Sequence, residues 1–414
     1  MNPSPLLDTP GAVARVDPAT LAEGPDADAG ADTTTAGAAD PATDPDAAVA
    51  AHFGDPFAEQ RALTRRAGVV DRSHRGVIVV PGADRLSWLH LLLSQQVADL
   101  PVGAGTEALV LDAAGRVEHH AVVGHAEVGA DGTNDTAAGG PAVWLDVEPG
   151  TAPALLTYLD SMRFWSDVAP RDVSDAFALL SVVGPDTDEV LTAAGVSLPA
   201  GEYATTALPG GGVVRRMPWP GPSPDAAADL LVPRADLVAW WERLRGAGAA
   251  AAGLDAFEAL RVGTLRPRLG LDTDDRTIPH EVGWIGAAVH LSKGCYRGQE
   301  TVSRVANLGR PPRQMVLLHL GSGDDPLPAP GTPVLAAEGG RSVGRVGTAV
   351  RHHELGSVAL ALVKRSAVAA GSGPDGALWV ADAETPGPAS VDPDSLPPDT
   401  GEPPGRAAVR RLQG

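Results

Sequence analysis

This chain carries the segment Lys293-Gly294-Cys295-Tyr296-Arg297-Gly298-Gln299-Glu300, which holds the single cysteine among its 414 residues. Gly294 and Gly298 let the backbone turn tightly or approach a ligand closely. A loop of this composition predicts that the thiol of Cys295 is presented for chemistry. The alternative is an inert cysteine buried in a glycine-rich connector, as free cysteines are often buried.

Basic residues surround the thiol in the sequence. Only two of the 32 basic residues are lysines, and Lys293 lies two positions before Cys295. Cations close to a thiol favour its thiolate form, so Lys293, Arg297 and Arg304 would make Cys295 a better nucleophile where these side chains converge. We predict that Cys295 and Lys293 are the catalytic residues. The predicted motif also includes Gly294, Tyr296, Arg297, Gly298, Gln299, Glu300 and Arg304.

Composition limits the class of protein. The net charge is −20, which argues against binding of nucleic acid through a broad basic surface. Apolar runs are too short for a spanning helix, and no signal sequence is recognised, so we expect a cytoplasmic protein without a membrane anchor. One cysteine forms no internal disulfide and no cysteine-rich metal site, so a bound cluster would need ligands from another protein.

The termini differ in composition from the body of the chain. Residues 1–50 are acidic and rich in small residues, and we expect them to be mostly disordered, with only Pro5 to Val16 apolar enough to dock. A second segment, rich in Pro, Asp and Gly, begins at residue 384 and leads into a tail over 384–414. The folded body is therefore predicted at 51–383.

Within this body, helices and strands alternate as in an α+β protein. Asp55 and Pro56 are typical of a helix start, and that helix is expected to run to Arg66. Further predicted segments are a strand at 76–80, a helix with Leu86, Leu89 and Leu93, a strand at 178–183, a helix with Val190 and Leu191, and helices at 234–245 and 254–265. The turns at Pro81–Asp84 and Gly184–Asp186 resemble each other, which indicates an internal repeat.

From Gln314 onward the sequence favours short strands. Five β-rich runs are predicted, at 315–320, 333–336, 343–350, 358–363 and 377–380. They indicate a small β-barrel or sandwich. The alternative is an extension of the larger sheet.

Other candidate motifs carry less weight. The pairs His119-His120 and His352-His353 resemble metal ligands, but neighbouring residues on a strand point to opposite faces. The P-loop, the dinucleotide-binding glycine pattern and G-x-S-x-G are missing from the sequence. Trp240 and Trp241 are expected in the core, because Leu237 and Leu244 share their helix face.

The segment 293–300 resembles the signature of the YgfZ-type folate-binding proteins, relatives of the glycine-cleavage T-protein (aminomethyltransferase). Other stretches occur in the order of that family, namely 68–76, 183–186, Arg261, 266–270, 278–281 and 343–347. The resemblance implies an α+β fold, a three-part cloverleaf of T-protein type around a folate-binding cavity, with a C-terminal β-barrel. It implies an aminomethyltransferase-like region of two repeated α+β units at 51–310 and a barrel at 311–383.

The resemblance also implies tetrahydrofolate as cofactor. Asp229 stands where the T-protein pattern has a glutamate, so it is the candidate acceptor for the pterin, and Arg261 matches an arginine near folate. T-proteins carry an aspartate pair after a G-x-V segment, whereas Glu118, His119 and His120 follow Gly115-Arg116-Val117 here. This difference argues against methylene transfer, with Glu118 as the alternative, longer base.

Three functions remain open. The favoured one is a tetrahydrofolate-binding accessory protein that helps assemble or repair iron–sulfur clusters in client enzymes, as the family is understood to do. The second is a folate-dependent aminomethyltransferase or demethylase. The third is a folate-binding interaction module in which the motif around Cys295 only shapes a loop.

Overall fold

A computed structural model describes residues 3–16, 39–127, 140–219, 226–321, 326–371, 378–381 and 387–396. The chain divides into two compact units, and each is described by itself. Unit 1 comprises Met1–Arg85, Leu100–Gly105 and Val122–Phe257, and unit 2 comprises Leu86–Asp99, Thr106–Ala121 and Glu258–Gly414. In the described part of the chain, every helix is too short or too polar to cross a bilayer.

The described α-helices are short. In chain order they are α1 Pro56–Arg65, α2 Arg85–Leu92, α3 Ala152–Ser161, α4 Thr187–Ala193, α5 Leu237–Gly246, α6 Leu254–Gly263, α7 Gln299–Leu308 and α8 Arg365–Gly371. Short 3-10 helices occur at Pro5–Asp8, Pro45–Ala48, Arg234–Asp236, Pro279–Glu281 and Pro393–Ser395.

The described strands form two sheets and a barrel. They are β1 Gly68–Asp71, β2 Gly76–Val80, β3 Gly105–Leu111, β4 Val117–Ala126, β5 Ala142–Val147, β6 Arg171–Asp172, β7 Phe177–Val183, β8 Thr205–Ala207, β9 Val213–Arg216, β10 Ala227–Pro233, β11 Ala250–Ala252, β12 Arg313–Leu320, β13 Pro333–Leu335, β14 Ser342–His352, β15 Gly356–Lys364, β16 Leu378–Val380 and β17 Gly387–Val391. The strand orders are β11-β1-β7-β10-β9-β8 and β3-β4-β5-β2-β6, with the closed barrel β12-β15-β14-β13-β16-β17.

Strand pairing in the six-stranded sheet of unit 1 brings one group of polar side chains together. Its strands pair antiparallel, except for the parallel pair β1 and β11. Ser181 of β7 lies opposite Asp229 of β10, and Asp229 lies opposite Arg215 of β9. Leu180, one residue before Ser181, packs in the apolar core on the other face. Strand alternation therefore gathers the polar side chains on one face.

Helices predicted from caps and apolar stripes are confirmed. The side chain of Asp55 accepts hydrogen bonds from the backbone N–H groups of Phe57 (3.0 Å) and Ala58 (2.9 Å), and α1 follows. The helix predicted at 234–245 begins as a 3-10 turn and becomes α-helical at Leu237. Trp240 and Trp241 are buried in the core as predicted.

The two turns that indicate a repeat share their local structure. Gly82 has a φ of +121°, and a Cβ atom there would lie 2.1 Å from the carbonyl oxygen of Asp167. Gly184 has a φ of +131°, and its Cβ would lie 2.1 Å from the carbonyl oxygen of Arg66. Only glycine fits both the dihedral and the close approach, which explains both glycines.

The prediction of disorder over 1–50 is wrong for residues 39–50. Asp44 caps the 3-10 helix Pro45–Ala48, whose alanines are buried, and Leu6 is buried in the core of unit 1. The backbone N–H of Ser4 donates to the carbonyl oxygen of Ala48 at 2.8 Å. Small side chains pack against the body although their hydrophobicity is low. Residues 17–38 lie outside the described part of the chain.

The C-terminal barrel is confirmed, but its predicted boundary is wrong. A sixth strand, β17, lies within the predicted tail and pairs with β12 and β16. Ala389 and Val391 are its buried residues, while Pro388 and Ser390 are exposed. With only two buried residues and a proline, this segment gives a weak strand signal in the sequence. The strand nevertheless closes the barrel. Residues 382–386 and 397–414 lie outside the described part.

Candidate functional site

Lys293 is buried in unit 2 and acts on main-chain oxygens. Its ammonium donates hydrogen bonds to the carbonyl oxygens of His90 (2.5 Å), Leu93 (2.6 Å) and Gln95 (3.2 Å). These carbonyls lie at the C-terminal end of α2, where the last turn has no helical partners. An ammonium has three donors and matches three carbonyls, and its charge suits the negative end of the helix. Lys293 therefore caps α2.

This placement corrects the predicted role of Lys293. All three donors are used by carbonyl oxygens, so the ammonium is not available to the thiol of Cys295. Burial lowers the pKa of Lys293 to about 8. A planar guanidinium could not make the same three contacts in this space, which gives a reason for a lysine in a chain that otherwise uses arginine. Lys293 is a positioning residue for the loop.

The two arginines of the motif are paired with carboxylates. Arg297 Nη1 lies 2.9 Å from Glu118 Oε2, and Arg304 Nη2 lies 2.8 Å from Glu300 Oε1. All four side chains are exposed. The structure therefore assigns these guanidiniums carboxylate partners instead of the predicted convergence on Cys295.

The loop itself is held at both ends. The Lys293 Nζ lies 5.1 Å from the ring centroid of the buried Tyr296, and Gln299 Nε2 donates to the carbonyl oxygen of Lys293 at 3.1 Å. Gly298 has a φ of +82°, and a Cβ there would lie 2.6 Å from the carbonyl oxygen of Asp112. Between these fixed points, Cys295 is exposed. The structure rules out a buried cysteine here.

In unit 2, His120 from the segment after Val117 forms an unpredicted pair with Glu107. Glu118 is exposed at the surface, but His120 is buried, and its Nε2 lies 3.0 Å from Glu107 Oε2. Glu107 Oε1 accepts from Arg266 at 3.0 Å, and the His120 ring stacks on Trp284 at 4.9 Å. Nδ1 of His120 has no hydrogen-bond partner among the described residues.

Sequence reasoning missed Glu107 and His120 as a pair. The backbone N–H of Asp112 donates to the carbonyl oxygen of Arg116 at 2.8 Å and closes the turn between β3 and β4. A regular hairpin closed at this point would place Glu107 opposite Ala121, so hairpin register alone does not indicate the contact with His120. In the tautomer whose Nε2–H donates to Glu107, Nδ1 carries the lone pair and can accept a hydrogen bond or a proton.

The structure places Asp229, the predicted pterin acceptor, among buried polar side chains. Asp229 is buried in unit 1, where Oδ1 accepts from Ser181 Oγ at 2.6 Å and Oδ2 accepts from Arg215 Nη2 at 3.2 Å. Arg72 Nη1 lies 3.6 Å from Oδ1, and Arg215 also binds Asp146. Both carboxylate oxygens are engaged, so Asp229 balances buried arginines.

Arg261 is likewise committed, within unit 2. Its guanidinium donates to Glu258 (2.7 Å), Asp272 (2.8 Å) and Thr348 (2.8 Å), and also to the carbonyl oxygen of Arg266. Burial lowers the pKa of Arg261, but the adjacent Glu258 and Asp272 carboxylates outweigh it and raise the pKa above its usual range. The guanidinium that was predicted to contact folate is therefore hydrogen-bonded to other groups of unit 2. Arg261 holds α6 to β14 and the 266–272 loop.

The adjacent histidines do not belong to a metal-binding group in the described part of the chain. His352 and His353 have ring centroids 4.8 Å apart. Within the described ranges, no group of three or more His, Cys, Asp or Glu side chains is arranged to hold a metal ion.

Comparisons with known proteins agree with this architecture. The family model described as the GCVT N-terminal domain matches residues 53–293, and the CAF17 C-terminal beta-barrel domain matches residues 313–393. An aminomethyltransferase from Streptomyces avermitilis is 27% identical over 331 residues, covering 77% of this chain and 84% of that protein. One from Rubrobacter xylanophilus is 30% identical over 242 residues, covering 57% and 60%.

A solved structure shows the same fold. The glycine cleavage system aminomethyltransferase T from Bartonella henselae superimposes with a TM-score of 0.66 at 19% identity, covering 81% of this chain and 88% of that chain. The T-protein-like fold with a C-terminal closed barrel is thereby confirmed. The chain therefore belongs to the YgfZ/CAF17 family related to the aminomethyltransferases, with a GCVT N-terminal domain and a CAF17-type C-terminal barrel.

Proposed function

We propose that this chain is a tetrahydrofolate-binding accessory protein that supports the assembly or repair of iron–sulfur clusters in client enzymes of the cytoplasm. The observation that carries the proposal is an exposed Cys295 on a loop fixed by the buried Lys293 and Tyr296. Iron–sulfur clusters are held by cysteine thiolates. A single thiolate supplies one ligand only, so the client supplies the others, and contact with the cluster is transient.

Tetrahydrofolate binding rests on membership of a T-protein-like family. A pterin presents N–H donors and a flat ring, and it needs acceptors and an apolar or aromatic surface. Asp229 and Arg261 do not offer free groups. His120 Nδ1 is a buried acceptor without a partner among the described residues, next to the Trp284 ring. We therefore assign the acceptor role to His120, with Glu107 orienting its ring.

The same dyad favours the second candidate, a folate-dependent aminomethyltransferase or demethylase. A histidine held by a carboxylate can move a proton at Nδ1, which Glu118 cannot do from its surface pair with Arg297. Turnover of a methylated amine with tetrahydrofolate, lost in His120→Asn and kept in Cys295→Ala, would establish this activity in place of the accessory role.

Replacement of the thiol tests the accessory role. Cys295→Ala should leave the thermal midpoint unchanged, because the side chain is exposed, and should abolish support of iron–sulfur enzymes in a strain lacking the protein. Ser292→Ala, exposed in the same loop, is the matched control and should restore those activities. Full restoration by Cys295→Ala would refute a role for the thiol and leave the interaction module.

Calorimetry with tetrahydrofolate under anaerobic conditions tests the binding. The wild type should release or take up heat saturably, and His120→Asn should weaken the affinity about tenfold, as expected for one hydrogen bond. His119→Asn is the control, because neighbouring strand residues face opposite sides. Absence of heat in the wild type refutes folate binding, whereas equal affinity in His120→Asn refutes only the assignment of the acceptor.

A further inference from the structure

Two exposed leucines lie beside Cys295 in unit 2, and the proposed function assigns them no role. Leu91, near the end of α2, is 63% exposed, and Leu291, in the loop that leads to Lys293, is 44% exposed. Cys295 is exposed in the same loop. We call Leu91, Leu291 and Cys295, together with His90, the thiol surface.

Contacts between the loop and α2 bring Leu91 and Cys295 together. The Lys293 ammonium donates to the carbonyl oxygen of His90 at 2.5 Å, and a Cβ atom on Gly294 would lie 4.0 Å from His90 Nε2. His90 immediately precedes Leu91 on α2, and Gly294 immediately precedes Cys295 in the loop. The two exposed side chains therefore belong to one surface.

Leu291 belongs to the same surface. The residue before it, His290, donates its backbone N–H to the carbonyl oxygen of Ser94 at 3.0 Å. The carbonyl oxygen of His290 accepts from the backbone N–H of Lys293 at 3.4 Å. These bonds fix the loop around Leu291 against the residues that follow α2.

Packing within unit 2 does not account for the exposed leucine of α2. This short helix already buries Trp88, Leu89 and Leu92 on its inner face. A single exposed leucine is ordinary in a folded protein. Two of them beside an exposed thiol form an apolar surface, and such surfaces mark sites of interaction with other molecules.

Charge is nearly balanced at the thiol surface, although the chain carries a net charge of −20. Both arginines of the motif are paired with carboxylates. His90 lies within electrostatic range of Lys293 and of Asp99, whose charges are opposite. The thiolates that hold a cluster are anionic, so a surface without excess negative charge lets them approach Cys295.

We propose that Leu91 and Leu291 are the docking contacts for the client protein, which presents an apolar surface next to the cysteines that hold its cluster. This inference rests on the proposed function, because the thiol reaches a client's cluster only when the two proteins touch around it. The thiol surface is small, and small interfaces are typical of transient encounters. Repulsion between two chains of charge −20 disfavours a second copy as the partner.

Complementation of a strain lacking the protein tests these contacts in the full chain. Leu91→Gln and Leu291→Gln should each lower the activity of iron–sulfur enzymes about tenfold, the loss of affinity expected when one buried leucine contact is removed. Both variants should keep the thermal midpoint, because the side chains are exposed. Both should also keep the rate at which iodoacetamide alkylates Cys295, because glutamine adds no charge beside the thiol.

Leu355→Gln is the matched control. Leu355 is 37% exposed in the turn between β14 and β15 of the same unit, and this variant should restore the enzymes fully. Loss of support in Cys295→Ala, with full support by both thiol-surface leucine variants, would overturn the docking contacts alone. Full support by Cys295→Ala would overturn the proposed function and this inference with it.

Two further measurements distinguish other occupants of the thiol surface. A wild-type dimer in size-exclusion chromatography that Leu91→Gln converts to a monomer would assign the surface to a second copy of this chain. Faster alkylation of Cys295 in Leu91→Gln than in the wild type would show that another segment of the same chain covers it. Either result would overturn the proposal.

Discussion

His280 is a partly buried histidine in the turn Pro279–Glu281, and neither of its ring nitrogens has a partner among the described residues. Burial lowers its pKa to about 4, from an ordinary value near 6.5. Between these two values the unfolded chain takes up a proton that the folded chain refuses. The folded state therefore loses stability as the pH falls through this window.

Substitution of this histidine should make the protein less sensitive to acid. Between pH 7 and pH 5, His280 should account for about 2 kcal/mol of lost unfolding free energy, and His280→Phe should remove that loss. Urea midpoints at the two pH values measure it. His290→Gln, which changes an exposed histidine of the same unit, should lose as much as the wild type. Equal acid sensitivity in His280→Phe would contradict the assignment.

Residue types in the motif could be read from the sequence, but their partners could not. The two lysines and the single cysteine already indicated Lys293 and Cys295. The oxygens that Lys293 binds belong to carbonyls about 200 positions earlier, at His90 and Leu93. Every residue carries a carbonyl, so no sequence pattern distinguishes the ones that will face an ammonium. The partners of Asp229 are the side chains of Ser181 and Arg215, which become neighbours only through the pairing of β7, β9 and β10.

At the scale of elements, the sequence predicted a helix, turn or strand correctly where a few neighbouring residues determine it. The cap Asp55, the turn glycines and the β-branched run at 76–80 each act within a few residues, so the sequence alone predicted them. Strand β17 was not predicted, because its stability comes from pairing with two other strands rather than from its own residues. The dyad of Glu107 and His120 was not predicted either, because a regular hairpin closed at Asp112 and Arg116 would place Glu107 opposite Ala121.

The role of β17 can be tested by truncation. A chain ending at residue 383 lacks β17 and exposes the unpaired edges of β12 and β16, which should lower the thermal midpoint of the barrel and promote aggregation. A chain ending at residue 396 keeps all six described strands and is the control. Size-exclusion chromatography and thermal melting distinguish the two. A monomer ending at 383 with an unchanged melting curve would show that five strands suffice.

The whole molecule carries a net charge of −20, and several of its described ion pairs are buried. The Arg215 and Asp146 side chains are each only 1% exposed. Salt screens charges on the surface, with a Debye length of about 10 Å at 0.1 M, and affects buried pairs much less. Repulsion among surface carboxylates is therefore the electrostatic contribution that salt removes, while the attractive pairs in the core persist.

Salt should consequently stabilise the folded state. Raising sodium chloride from about 0.02 M to about 0.3 M should raise the thermal midpoint by a few degrees, since screened self-repulsion no longer favours expansion of the chain. Arg163→Gln, which changes one exposed side chain, should show the same rise, because the screening acts on the whole surface. A midpoint that falls with salt would show that exposed pairs such as Arg297 with Glu118 outweigh the net charge.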